Sequence, residues 1–207
     1  MTPSTKDIAR TIIDRAGDKQ RFIVAIAGPP GAGKSTLADE LAAALNVSGE
    51  SAAVLPMDGF HMDDGILSAK GLLARKGAPE TFDVRGFLDI VRAVKASEGE
   101  VLVPVFDRSR ELAIAAARIV DASTRFILVE GNYLLLDQAP WQKLQGQFDY
   151  SILISPPVAT LEMRLMDRWR GYGFSEDAAR EKTNGNDLKN GTLIRDHCRP
   201  ADIVLTE

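Results

Sequence analysis

Eight residues, "GPPGAGKS" (28–35), lie between the apolar run "RFIVAIA" (21–27) and the helix-like "TLADELAAAL" (36–45), and they restrict the fold more than any other stretch. They satisfy the pattern G-x-x-x-x-G-K-[ST] through Gly28, Gly33, Lys34 and Ser35, in the strand, loop and helix context that the pattern requires. Glycines at 28, 31 and 33 let the backbone curl so that successive N–H groups converge, a geometry that Cβ atoms obstruct. The start of the following helix adds partial positive charge. Pro29 and Pro30 stiffen the turn without removing a needed donor, because the donors lie further along.

Such a loop cradles the phosphates of a nucleoside triphosphate, and ATP with Mg²⁺ is the expected ligand pair. The expected contacts run from Gly28 through Pro29, Pro30, Gly31, Ala32 and Gly33 to Thr36. Lys34 would bridge the β- and γ-phosphates, the Ser35 hydroxyl would ligate Mg²⁺, and Thr36 would reach the α-phosphate.

A chain of 207 residues with 45% hydrophobic content buries a sizeable core, and one domain spanning 1–207 is expected. The balance of 25 basic against 29 acidic residues, with no basic run, argues against nucleic acid and anionic membrane as partners. One cysteine, Cys198, forms no internal disulfide, and no Cys/His spacing suits zinc. Without a signal-like or membrane-length apolar stretch, the reading is a soluble cytoplasmic protein; a homodimer is left open.

Residues 1–19 read as an N-terminal helix with Ile8, Ile12 and Ile13 at helical spacing and Gly17 at its end. Apolar runs at 21–27, 51–58, 100–107, 125–131, 149–155 and 201–207 read as strands. Helices are expected at 33–45, at 84–97 with apolar positions 84, 87, 88, 91 and 94 on one face, after Pro157, after Ser175, and at 186–198. The polar stretch from 58 to 83 reads as loops and short helices. This alternation implies an α/β, three-layer P-loop NTPase fold: a mostly parallel five-stranded sheet, helices on both faces and a helical lid over about 161–185.

In an open parallel sheet ligands collect at the carboxyl ends of the strands, where Asp58, Asp107 and Glu130 stand. Asp58, in "MDGFH", is the best-placed carboxylate to orient an attacking hydroxyl and accept its proton. Glu130 occupies the position of an acid that serves the Mg²⁺ shell. Arg108 can clamp an anion or hydroxyls. Arg164 and Arg168, four apart on one helical face, suit a segment that closes over the transferring phosphoryl group.

Taken in order, "GPPGAGKS", "MDGFH", "RKGAPETFD", "PVFDR", "VEGNYLLL" and the arginine-bearing helix resemble the uridine kinase, phosphoribulokinase and pantothenate kinase superfamily of P-loop kinases. The nearest resemblance is to the bacterial branch described as fructose transport system kinases, or fructokinase-like proteins. It implies that Asp58 is the base, that His61, Arg75 and Asp83 face the acceptor, that Arg168 is the leading lid arginine, and that Asn190 touches ligand. Where similar uridine kinases carry "PxYDFxxHxR", this chain reads "PVFDRSRELA"; Phe106 remains and the histidine is absent. That loss favours a small polyol or sugar such as fructose over a nucleoside.

A nucleoside or pantothenate acceptor is the alternative within the kinase class. An NTP-hydrolysing switch or assembly protein is the alternative outside it, disfavoured because the chain has no Asn-Lys-x-Asp and no Ser-Gly-Gly-Gln. The nucleotide base is expected to be gripped late, near "RPAD" (199–202).

Overall fold

The computed structural model describes residues 3–206. The chain enters through α1 (Thr5–Ala16), capped by Ser4, whose side chain and that of Asp7 satisfy each other's backbone N–H groups. Ile8 and Ile12 are buried, and Gly17 ends the helix.

The next strand, β1 (Phe22–Ala27), is buried on both faces throughout, as a continuous apolar run demands of a central parallel strand. Phe22, Val24 and Ile26 join a core that includes α1 and α2 (Lys34–Val47); Ile23, Ala25 and Ala27 join one on the opposite face. A strand with apolar residues on both sides cannot sit at an edge, so the two-core arrangement follows from this run.

The sheet contains β2 (Ala52–Pro56), β5 (Phe126–Gly131), β1, β6 (Tyr150–Ile154) and β7 (Ile203–Leu205), in that spatial order and all parallel. Helix α4 (Val84–Ala96) lays Val84, Phe87, Leu88, Val91 and Val94 into the second core, the stripe expected from the sequence. Short helix α3 (Asp64–Ala69) and single 3-10 turns fill the stretch before it. At the far end, α5 (Val158–Gly171) is followed, after a short turn, by α6 (Glu176–Lys182), a π-helical turn (Thr183–Asp187) and α7 (Leu188–His197), which run on without a break. Ser175 caps α6 by accepting from the Ala178 N–H.

Two expectations are corrected. Residues 101–107 are not in the parallel sheet: β3 (Val101–Asp107) pairs antiparallel with β4 (Leu112–Val120) as a separate hairpin. The alanine-rich β4 exposes nearly every residue, so it lacks the burial pattern by which a strand is read from sequence. Asp107 therefore is not at the sheet's carboxyl edge; its carboxylate accepts from the N–H groups of Ser109 and Arg110 and shapes the hairpin turn.

Candidate active site

The phosphate loop leaves the carboxyl end of β1, between β5 and β6. A Cβ on Gly28 would overlap the Ile154 carbonyl of β6, so only glycine lets the chain turn this close to the neighbouring strand. Gly33, at a φ of 96°, opens α2 in the left-handed region. The N–H groups of Gly33, Lys34, Ser35 and Thr36 find no acceptor among the described residues, and Leu37 makes the first helical bond, to Gly33. Four adjacent orphan donors at a helix start form an anion cradle.

Lys34 is buried, and its Nζ donates to the Pro29 carbonyl at 3.0 Å. Burial pushes its pKa down to about 8, against the pull of Glu130 and Asp58. Glu130, at the end of β5, is likewise buried; burial and the nearby Asp58 push it up to about 7, while Lys34 and the Ser35 hydroxyl pull the other way. A lysine short of anions and a glutamate short of cations, side by side, suit a triphosphate and a metal arriving together.

Asp58 reaches the same place by another route. Pro56 of β2 is in register with Glu130, and Met57 packs where a Cβ on Gly131 would be. The missing side chain at 131 lets the 3-10 turn Met57–Phe60 close onto β5. Asp58, Glu130, Ser35, Asp39, Phe106, Arg108 and Arg118 then line a common cavity of about 140 Å³. Arg108 Nη2 donates to Asp58 Oδ2.

His61 stacks between Phe82 and Phe106, with centroids at 4.1 and 4.5 Å. Its Nδ1 lies 2.8 Å from the Asp58 carbonyl; a carbonyl only accepts, so Nδ1 carries the proton and Nε2 is left as an acceptor. Burial lowers its pKa, which keeps the ring neutral.

A second cavity, about 390 Å³, opens on the other side of the loop between Gly31, Ala32, Gly33, Thr36, Leu37 and Glu40 and, opposite them, Ile154, Arg164 and Leu205. Arg164 Nη1 lies 3.4 Å from the Ala32 carbonyl. Leu205, at the carboxyl end of β7, lines this space. The "RPAD" stretch expected to grip the base precedes β7; within it Arg199 donates to the Leu134 and Leu135 carbonyls and Asp202 accepts from Ser151.

The other residues singled out in the sequence take varied positions. Arg75 Nη1 donates to Asn186 at 2.8 Å, and Asn190, 2% exposed, turns its amide to the Gly77 carbonyl. Asp83 caps α4 by accepting from Gly86 and lines neither cavity. Arg168 is half-buried on α5 and its guanidinium makes no hydrogen bond or ion pair to the described residues, whereas Arg170 is tied to Asp167 and Glu176.

Several residues were not found from sequence. Arg118 comes from the unrecognised strand β4. Asp187 is a buried carboxylate that accepts from Trp169 Nε1 at 2.8 Å; burial raises its pKa, while Trp169 and Arg168 hold it down. Tyr133 and Trp141 donate to the Gly77 and Pro79 carbonyls and hold the "RKGAP" loop against the core.

Comparison with known proteins places this geometry. A crystal structure of a candidate fructose transport system kinase from Silicibacter sp. TM1040 superposes with a TM-score of 0.93 at 44% identity, covering 98% of each chain. A candidate uridine kinase of Schizosaccharomyces pombe is 32% identical over 91% of this chain and 84% of its own. The pantothenate kinase of Streptomyces coelicolor is 31% identical over 72% of this chain, a span of 48% of that enzyme. Residues 2–71, about a third of the chain, also match the profile of the methylmalonyl-CoA mutase-associated GTPase MeaB. Likeness over nearly the full length, joined to an intact phosphate loop, means that the chain belongs to the superfamily of P-loop kinases that groups uridine kinases, pantothenate kinases and fructose transport system kinase-like proteins, phosphotransferases that act on a hydroxyl of a small molecule.

Proposed function

We propose that this chain transfers the γ-phosphoryl group of ATP to a hydroxyl of a sugar-like small molecule. The observation that carries the reading is the convergence of Lys34, Glu130 and Asp58 on the space in front of four orphan backbone donors. Asp58 orients the acceptor hydroxyl. As its oxygen bonds to the γ-phosphorus, the bond to the bridging oxygen breaks, the electron pair leaves with ADP, and the hydroxyl proton passes to Asp58.

Lys34 and the N–H groups of 33–36 hold the phosphates, and Arg164 and Arg168 face the charge that spreads over the γ-oxygens. Ser35 and Glu130 would hold Mg²⁺, which would supply positive charge against the phosphates. Among the described residues no cluster of three metal-ligating side chains exists, which suits an ion held mainly by phosphate and water. Use of ATP supports a cytoplasmic location.

The absence of the "PxYDFxxHxR" histidine supports a sugar such as fructose over a nucleoside, and the Silicibacter protein's description agrees with that choice. The test is ADP release from Mg·ATP without acceptor, then with fructose and other sugars, uridine, cytidine or pantothenate. Stimulation by sugars supports the reading; stimulation by uridine or pantothenate alone replaces it. A second reading, a nucleotide-hydrolysing switch, draws on the MeaB match. That match ends before Arg75, Arg108, Glu130 and Arg168, and rapid hydrolysis indifferent to every acceptor would select it.

A further inference from the structure

We propose that the acceptor carries an anionic group, a carboxylate or a phosphate, about one or two carbons from the reacting hydroxyl, and that Arg108 receives it. The inference rests on the reading of Asp58 as the base and narrows the sugar-like acceptor to a sugar acid or sugar phosphate in place of unmodified fructose. Arg108 is the first residue after β3, and its guanidinium makes a single contact to Asp58 through Nη2, with nearly half of the side chain still exposed (48%). Arg118, from β4, lines the same cavity; one of its nitrogens is spent on the Val54 carbonyl at 2.9 Å and the others are open.

An ion pair on the base opposes catalysis. The guanidinium occupies a carboxylate oxygen that must accept a proton. A neutral hydroxyl compound would have to replace a charge-assisted bond with an ordinary one. An acceptor with its own anion offers an exchange: Arg108 turns from Asp58 to the incoming anion, and Asp58 is freed for the hydroxyl. Because guanidinium and hydroxyl meet the same carboxylate, the two groups of the acceptor must lie close together.

The surrounding charges agree. Of the carboxylates on this cavity, Glu130 faces Lys34 and the metal side, and Asp39 lies exposed on α2. Two guanidiniums remain against Asp58. His61, neutral with Nε2 as an acceptor, suits a second hydroxyl rather than the anion. Lys76, beside Phe106, is already held by Asp64 and Glu111. The arrangement also protects ATP: with no acceptor present, the base stays paired and water is a poor nucleophile.

The test uses the full chain with Mg·ATP and acceptors in matched pairs: D-glycerate with glycerol, D-gluconate with D-glucose, and fructose 6-phosphate with fructose. kcat/KM is taken from ADP release, and products are identified by mass. The anionic member is expected to be preferred by about 100-fold or more, and the carboxylate and phosphate pairs separate the two anions. R108Q is expected to lower kcat/KM for the anionic member about 100-fold and to raise it for the neutral one, whose base is no longer paired, with R108K restoring part of the loss. A thermal shift of the Mg·ADP complex by the anionic members, absent in R108Q, would report the same contact without turnover. A protein that phosphorylates only neutral compounds, or loses both members equally in R108Q, overturns this inference and leaves the kinase reading intact. One that phosphorylates and binds none of them while hydrolysing ATP overturns both.

Discussion

Replacing Lys34 by methionine should stabilise the nucleotide-free protein while abolishing its reaction. The lysine in an unfolded chain has a pKa of 10.5, and in the folded protein burial brings it to about 8. That gap corresponds to about 3 kcal/mol of unfavourable charge burial at neutral pH. The sign follows from linkage: a lysine whose folded pKa is depressed costs stability in full below pH 8, and the cost fades as pH rises toward the unfolded value.

Methionine keeps the stem's packing, and the Pro29 carbonyl keeps its bond from the Ala32 N–H. Part of the gain is lost because Glu130, deprived of its cation, takes up a proton. A net gain of about 1–3 kcal/mol remains, and at roughly 2–4 °C per kcal/mol for a chain of this size the melting temperature should rise by roughly 2–12 °C. The assay is calorimetric melting of wild type and K34M, stripped of nucleotide with chelator, at pH 7 and at pH 10. The gap should be wide at pH 7 and narrow at pH 10. A K34M protein that melts at or below wild type at pH 7, or a gap that does not change with pH, refutes the reasoning.

Other perturbations separate the remaining roles. D58N should lower kcat about 10²–10⁴-fold with ATP affinity near wild type, checked by steady-state kinetics and nucleotide titration; preserved turnover would remove Asp58 from the base role. R168Q should lower kcat about 10³-fold, whereas R170Q, from an exposed ion-pair network, should change it by less than about twofold. D187N keeps an acceptor for Trp169 but loses the charge beside Arg168, so kcat should fall while the melting temperature stays within a few degrees, roughly; unchanged kcat would leave Asp187 a structural residue. Y133F removes the 2.6 Å bond to Gly77, which should cost about 1 kcal/mol in urea unfolding and raise the acceptor KM without raising that for ATP.

The phosphate side of the site was legible because its physics is local. A buried strand, three glycines, a lysine and a helix start are contiguous, and each constrains the next. The stripe of α4 and the Ser175 cap were legible for the same reason, being periodicities and spacings within one element. The acceptor side was read only in outline. Asp58 and Glu130 announce themselves as acids at strand ends, but so did Asp107, and only pairing partners distinguish a sheet edge from a hairpin turn.

The remaining contacts span long separations. Arg75 meets Asn186 across 111 positions, and the Arg118 of β4 enters the cavity because an alanine-rich segment with helical propensity is drawn into a strand by β3. Asp187 and Trp169 are 18 positions apart and meet only because a π-helical turn carries the chain from α6 into α7. No pattern in one sequence encodes such meetings; they arise from the packing of finished elements.

The central claim is that the γ-phosphoryl group goes to a small-molecule hydroxyl and not to water. It is tested most directly by following ³²P from γ-labelled ATP into organic ester or inorganic phosphate, in the presence of the acceptor that stimulates ADP release most. Nearly all of the label is expected in the ester, and D58N is expected to slow ester formation about 10²–10⁴-fold. Label recovered as inorganic phosphate at an unchanged rate, with or without acceptor and in wild type and D58N alike, would contradict it.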